Sequence, residues 1–424
     1  MNKRLLCCIV SVALTGCASR VAVPDAPLSA NDTLCRAGVY GAAEPFVVIT
    51  LRGAKAHYAF NDGRAGSITA RGDVVCRQDK VIVGATLALH RRSLEITDTR
   101  FDAQGAVLAG QLLQPHDANA DTPLIVYAHG SEELGWIEAA VDPYQMVARG
   151  VSVFVYDKRG TGKSTGTYSQ NFPQLADDMV AASIEAKRLA AGRFGKFGVF
   201  GLSQGGWIAP LAADRAGADF IGIGYGLVVD ILEEDAAQVA LELSNAGFDA
   251  DAIAKAKLLT DVTARLAVSG YSDGLDDLDR LREQYAEEAW YPVVRGGFTG
   301  VILGMTSDAL RTDGIPMFDR LNIDWTLNPM AVLRDVDVPQ LWILAEDDRE
   351  APYAKTLERL QSLRQQGKDI SVFVFPDTDH GMWEYTQDEN GKRTSTKVTD
   401  GFYRLMADWA KQRVAGQYGN SAAR

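Results

Sequence analysis

Histidine is scarce in this chain: five residues in 424. No His, Cys and Asp cluster shows metal-ligand spacing, so no metal is implied. An excess of basic charge is also missing. Forty-three Lys and Arg face 55 Asp and Glu, and the formal net charge of −12 argues against nucleic acid as a partner. The apolar run Leu5 to Leu14 is too short to span a bilayer. Charged residues make up 23% and hydrophobic ones 47%, which excludes global disorder and fits a large globular core.

The few cysteines are informative by position. Lys3 and Arg4, the apolar run and then Leu14-Thr15-Gly16-Cys17 form a targeting segment. The last four resemble the bacterial lipobox, which implies a signal peptide over 1–16, lipidation of Cys17 and a tether over 17–32. The competing expectation is a plain secretory peptide cut near Ala18. Ala18 stands where an inner-membrane retention signal usually has Asp. The resemblance therefore implies the outer membrane, facing the periplasm, with membrane contact only through the lipid. Cys35 and Cys76 then remain as an even pair in an oxidising compartment. They are either two buried thiols or a disulfide, whose loop closure contributes roughly 4 kcal/mol in the chain-entropy model.

Short β-like runs separated by Gly, Asp and Asn predict a small β-rich domain over 33–92, with His57 and His90 as surface or strand histidines. From 93 the rhythm becomes strand and helix in alternation. This predicts an α/β fold, a mainly parallel sheet with helices on both faces. Helices are expected over Ile137–Arg149, Asn171–Gly192 and Asp400–Val414, among others. The rhythm breaks over 226–328, where helical patterns dominate. That stretch reads as a cap inserted between a first core part, 93–225, and a second, 329–414, over the strand ends where ligands bind. Residues 415–424 read as a flexible tail.

The stretch Phe197-Gly198-Val199-Phe200-Gly201-Leu202-Ser203-Gln204-Gly205-Gly206-Trp207 is a buried strand running into a helix. G-x-S-x-G at such a bend is a nucleophile elbow. Flanking glycines permit the tight turn, and the Gln204 N–H at the helix start can receive an oxyanion. Pro210 is expected in about the first turn of that helix. A serine nucleophile needs a base, and the base needs an acid. His380 follows the last predicted core strand, and Asp347 and Asp348 follow the strand before it. The order Ser, Asp, His suits this architecture.

With these residues in place, the chain from about 94 to 414 resembles the α/β-hydrolase superfamily, its serine esterases and related peptidases. Ala345-Glu346-Asp347-Asp348-Arg349-Glu350-Ala351-Pro352 resembles that family's G-x-x-D-x-x-V-P loop with Ala for Gly and Ala for Val. The alignment selects Asp348, and the two departures leave Asp347 as the alternative. His129-Gly130-Ser131 resembles the H-G-x oxyanion turn and implies Ser131 N–H as the second donor, with His129 structural. Asp157-Lys158-Arg159-Gly160-Thr161-Gly162-Lys163-Ser164 resembles the D-x-R-G-x-G-x-S loop. Its G-T-G-K-S also invites a phosphate-binding reading, but Asp157 stands where that motif needs Gly, and a carboxylate there repels phosphate.

The resemblance implies acyl transfer without a cofactor on a small ester. A peptidase of the prolyl-oligopeptidase type, acting on short peptides, competes, because Gly205-Gly206 resembles that branch equally. Those peptidases usually carry a propeller, and the N-terminal segment here is too short for one. A non-catalytic binding protein on the same fold is the third expectation.

Overall fold

The computed structural model describes residues 35–69, 72–77, 79–84 and 86–424. The signal peptide, Cys17 and the tether lie outside the described residues. The N-terminal β-rich region forms two small sheets. One holds β1 (Gly38–Tyr40), β2 (Val47–Arg52), β3 (Lys55–Phe60) and β4 (Ala65–Ser67), and the other β5 (Val74–Arg77), β6 (Lys80–Val83) and β7 (Leu87–His90). A disulfide joins Cys35 to Cys76.

The core begins with β8 (Leu94–Ala103) and β9 (Ala106–Pro115), an antiparallel pair. Then follow β10 (Leu124–Ala128), α1 (Asp142–Ala148), β11 (Ser152–Tyr156), α2 (Phe172–Leu189), β12 (Phe197–Leu202), α3 (Gly205–Ala213) and β13 (Phe220–Gly224). The cap comprises α4 (Ile231–Asn245), α5 (Ala250–Val268), α6 (Leu275–Tyr285), α7 (Thr299–Leu303), α8 (Ser307–Ala309) and α9 (Ile315–Leu321). The core resumes with α10 (Pro329–Asp335), β14 (Gln340–Ala345), α11 (Tyr353–Gln365) and β15 (Ile370–Phe375). The chain ends with β16 (Thr378–Asp379), β17 (Trp383–Gln387), β18 (Arg393–Val398), α12 (Phe402–Ala410) and β19 (Ala422–Ala423).

Nine strands form one mixed sheet in the order β19-β15-β14-β13-β12-β10-β11-β9-β8, parallel from β15 through β11. Alternation within each strand feeds two cores. Leu124, Val126 and Ala128 meet α2 and α3 on one face, while Ile125 and Tyr127 meet α1 and α12 on the other. Being covered twice, β10 is apolar at every position, and β11 and β14 are so after an opening Ser152 and Gln340. Phe200 is wholly buried, and such burial stabilises by roughly 1.5–3 kcal/mol. The cap has a separate apolar core.

Four expectations need correction. The helix expected over Ile137–Arg149 is shorter, because Asp157 Oδ1 accepts from the N–H groups of Trp136 (2.7 Å) and Ile137 (3.0 Å) and holds that stretch in turns. Pro210 lies inside α3 rather than in its first turn. The boundary at 92 and 93 cuts through a shared core, since Val39, Phe46 and Val48 pack with Leu113, Tyr144 and Val147. The 415–424 tail is docked. Tyr418 is buried, its hydroxyl lies 3.0 Å from Asp408, and β19 pairs with the edge of β15.

Candidate active site

The turn from β12 into α3 is forced by close packing. A Cβ on Gly201 would lie 2.0 Å from Gly205 O, and one on Gly205 would lie 2.3 Å from Ala128 O. Ser203 at its apex has φ +52°. A non-glycine residue in that region costs about 1–3 kcal/mol and is retained where the surroundings over-determine it. Ser203 N donates to Gly224 O at 3.0 Å, and Ser203 O accepts from Gly206 N at 2.7 Å. Gln204, nearly buried, stands at the N-terminal end of α3.

Ser203 Oγ lies 3.1 Å from His380 Nε2, and His380 Nδ1 lies 2.8 Å from Asp348 Oδ2. The structure thus brings together three residues taken from 203, 348 and 380 in the sequence. Asp348 is buried, and its other oxygen accepts from the N–H groups of Glu350 (2.9 Å) and Ala351 (2.7 Å). His380 is held from its own backbone, whose N–H donates to Asp379 Oδ1 at 2.9 Å. Asp379 also accepts from Arg349 N and pairs with Arg393 of β18. The Tyr225 ring packs edge-on to the imidazole at 5.0 Å.

Asp347 points elsewhere. Its Oδ2 accepts from Tyr385 Oη of β17 at 2.8 Å. Burial alone depresses the His380 pKa. The charges of Asp348 and Glu350, the bond to Asp348 and the charge of Glu234 outweigh it and carry the value up to about 10. Glu234, at the start of α4 in the cap, is itself pushed up to about 8 by burial. Sequence reasoning missed both glutamates as neighbours of the imidazole. Glu350 lay within the acidic loop, but nothing in the pattern told its direction from that of Asp348.

The turn after β10 lies against the elbow, with a Cβ on Gly130 falling 3.5 Å from that of Ser203. Gly130 O accepts from Lys158 Nζ at 2.7 Å, and Ser131 O accepts from Tyr168 Oη. His129 is buried, stacked on Trp136 at 4.5 Å and bonded through Nδ1 to Glu132, as suits a packing role.

The glycine loop after β11 folds onto its own carboxylate. Asp157 Oδ2 accepts from Lys163 N at 2.8 Å, and a Cβ on Gly162 would lie 2.1 Å from that oxygen. The place a phosphate would take is filled by Asp157. Arg159 makes a buried two-pronged pair with Asp178 at 2.7 and 2.6 Å. Among the described residues no group of three or more His, Cys, Asp and Glu side chains is arranged to hold a metal ion.

The cap touches the loops around the serine. Gln170 N donates to Leu321 O at 2.7 Å, Arg320 pairs with Glu133 at 3.5 Å, and Arg349 approaches Glu242 at 3.7 Å.

Residues 125–390 match the model of the Alpha/beta hydrolase family, a stretch longer than half of the chain. The chain belongs to this family. No curated protein matches it. Among solved structures, it is similar to an esterase of Pyrococcus furiosus. That match has 14% identity and a TM-score of 0.43 and covers 68% of this chain and 84% of that one. It is also similar to an acylaminoacyl peptidase of Pyrococcus horikoshii, at 14% identity and a TM-score of 0.41, over 78% of this chain and 51% of that one. A third is an alpha/beta hydrolase of a Penicillium species, at 17% identity and a TM-score of 0.41, over 68% and 92%. The chain is thus a hydrolase of the α/β-hydrolase kind.

Proposed function

We propose that this hydrolase cleaves small carboxylic esters through an acyl-enzyme on Ser203. The observation that carries the reading is the unbroken hydrogen-bonded chain from Ser203 Oγ through His380 to buried Asp348, with Ser203 at positive φ. His380 Nε2 takes the serine proton as Oγ attacks the ester carbonyl, whose π pair moves onto oxygen. The N–H groups of Gln204 and Ser131 receive that oxyanion. His380 returns the proton to the leaving alkoxide. Water then attacks the acyl group by the same route and frees Ser203. Asp348 holds the Nδ1–H tautomer and stabilises the imidazolium. These steps use side chains and backbone of this chain alone.

The cap over 226–328 lines the acyl pocket in this reading. The pair Gly205-Gly206 does not favour a peptidase. Both glycines are required by packing, Gly205 against Ala128 and Gly206 against Gly226, where a Cβ would lie 2.9 Å from a backbone carbon. A fluorophosphonate should label Ser203 alone, and Ser203→Ala should abolish labelling and turnover. Labelling elsewhere with activity retained overturns the assignment. A panel of p-nitrophenyl esters beside aminoacyl-nitroanilides separates esterase from peptidase.

For location, the proposal is a lipid on Cys17 and the periplasmic face of the outer membrane. Globomycin treatment or Cys17→Ala should leave an unprocessed or soluble form. Membrane association that survives the substitution removes this part of the reading.

A further inference from the structure

Lys158 is 2% exposed, and among the described residues its ammonium has no carboxylate within ion-pairing distance. Asp157 is wrapped by N–H groups and Arg159 is paired with Asp178. A buried cation is costly unless it is bonded. Burial pushes its pKa down to about 8, partly opposed by the charges of Glu132 and Glu133. Its hydrogen bond goes to Gly130 O at 2.7 Å, and the Tyr168 ring lies 5.2 Å from the ammonium.

The target of that bond matters. Gly130 C=O and Ser131 N–H belong to one trans peptide, in which the two point in opposite directions. Fixing the carbonyl toward Lys158 fixes the N–H away from it. The next carbonyl, Ser131 O, is held by Tyr168 Oη. Both peptide planes that meet at Ser131 are therefore pinned, in a turn that touches Ser203. A charge-assisted bond to the carbonyl also polarises the amide and strengthens its N–H as a donor.

We propose that Lys158, seconded by Tyr168, is the positioning residue of the oxyanion turn: its buried ammonium locks the Gly130–Ser131 peptide and strengthens the Ser131 donor. This rests on the reading that Ser203 is the nucleophile and that Ser131 N–H receives the oxyanion. It gives a role to the side chain between Asp157 and Arg159, which the family resemblance left without one.

The test uses Lys158→Met, which keeps length and removes the donor and the charge, together with Tyr168→Phe. The readouts are kcat and KM on p-nitrophenyl acetate, Tm, and the inhibition constant of an alkyl trifluoromethyl ketone. Ser203 Oγ adds to that ketone, its proton passes to His380, and the carbonyl pair becomes a stable oxyanion. Lys158→Met should lower kcat by on the order of 100-fold, the scale of one lost oxyanion donor, with KM within about threefold. The ketone should bind weaker by a similar factor, because it too needs the donor. Tyr168→Phe should move both quantities the same way by about tenfold, a single hydrogen bond's worth.

A kcat within about threefold of the parent overturns the inference, as does a fall in kcat with ketone affinity unchanged, since a donor effect must appear in both. Should Lys158→Met fail to fold, Tyr168→Phe decides alone, and parental kcat and ketone affinity there also overturn it. Ser203→Ala runs in parallel. Activity retained in that variant removes the nucleophile assignment, a failure distinct from a silent Lys158.

Discussion

Glu350 Oε2 lies 3.7 Å from His380 Nε2, the ring nitrogen that faces Ser203. A carboxylate there favours the imidazolium, and with Asp348 on the other nitrogen it raises the pKa well above 6.5. A general base must be neutral to act, so the acid limb of kcat/KM should lie on the alkaline side of an ordinary histidine. Glu350→Gln should move that limb down by on the order of one pH unit, as expected when an opposite charge about 4–6 Å away is removed. A pH–rate series on one p-nitrophenyl ester measures both. An unmoved limb in the variant would show that Glu350 does not act on the base. The same shift has a sign in stability. Because the folded pKa exceeds the unfolded one, the contribution is complete below pH 6.5 and is lost as pH rises toward about 10.

The two adjacent aspartates should separate cleanly. Asp348→Asn removes the partner that fixes the His380 tautomer and should lower kcat by several orders of magnitude, on the scale of about 10,000-fold for such a change in a related triad. Asp347→Asn alters a half-buried bond to Tyr385 and should cost less than about tenfold. Parallel kcat measurements decide, and the reverse ranking transfers the role to Asp347.

Arg159 and Asp178 are both buried, so the fate of the pair depends on what is left behind. Arg159→Met strands a carboxylate and should destabilise by about 3–5 kcal/mol in urea unfolding. Adding Asp178→Leu should recover much of that loss. A double variant no better than the single one would mean that the pair is not the source.

Tyr418 is wholly buried, edge-on to Phe373 at 6.0 Å. Tyr418→Ala should cost about 3–5 kcal/mol, the range for emptying a large aromatic site. A chain ending at 414 should lose that and the β19 edge together. Thermal unfolding of both variants checks this, and parental midpoints would show that the docked end contributes nothing.

What the sequence reveals follows from how local each signal is. Gly201, Ser203 and Gly205 are legible because the three residues that permit the turn stand within five consecutive positions. Core strands such as Leu124–Ala128 are legible because burial on both faces leaves no polar position. Asp348 needed the spacing to Pro352, and that spacing says nothing of where Asp347 points. Tyr385, its partner, lies 38 positions on, in a hairpin with no apolar alternation strong enough to announce itself. Tyr418 was hidden by small and polar neighbours, which make its stretch look solvated although one ring anchors it. The charge of Glu234 acts on His380 only because α4 folds back toward the strand ends, a long-range fact with no local signature.

The hairpin after His380 leans on the opposite end of the chain. Val398 N donates to Gly63 O at 3.0 Å, Arg64 and Lys397 form an isolated bridge, and Arg393 of the same hairpin holds Asp379 beside the imidazole. During synthesis, Gly63 and Arg64, on which the hairpin leans, emerge long before the base and its hairpin. A half-made chain thus carries the serine elbow without the group that activates it. Competence arrives only once the hairpin segment has closed against residues laid down much earlier.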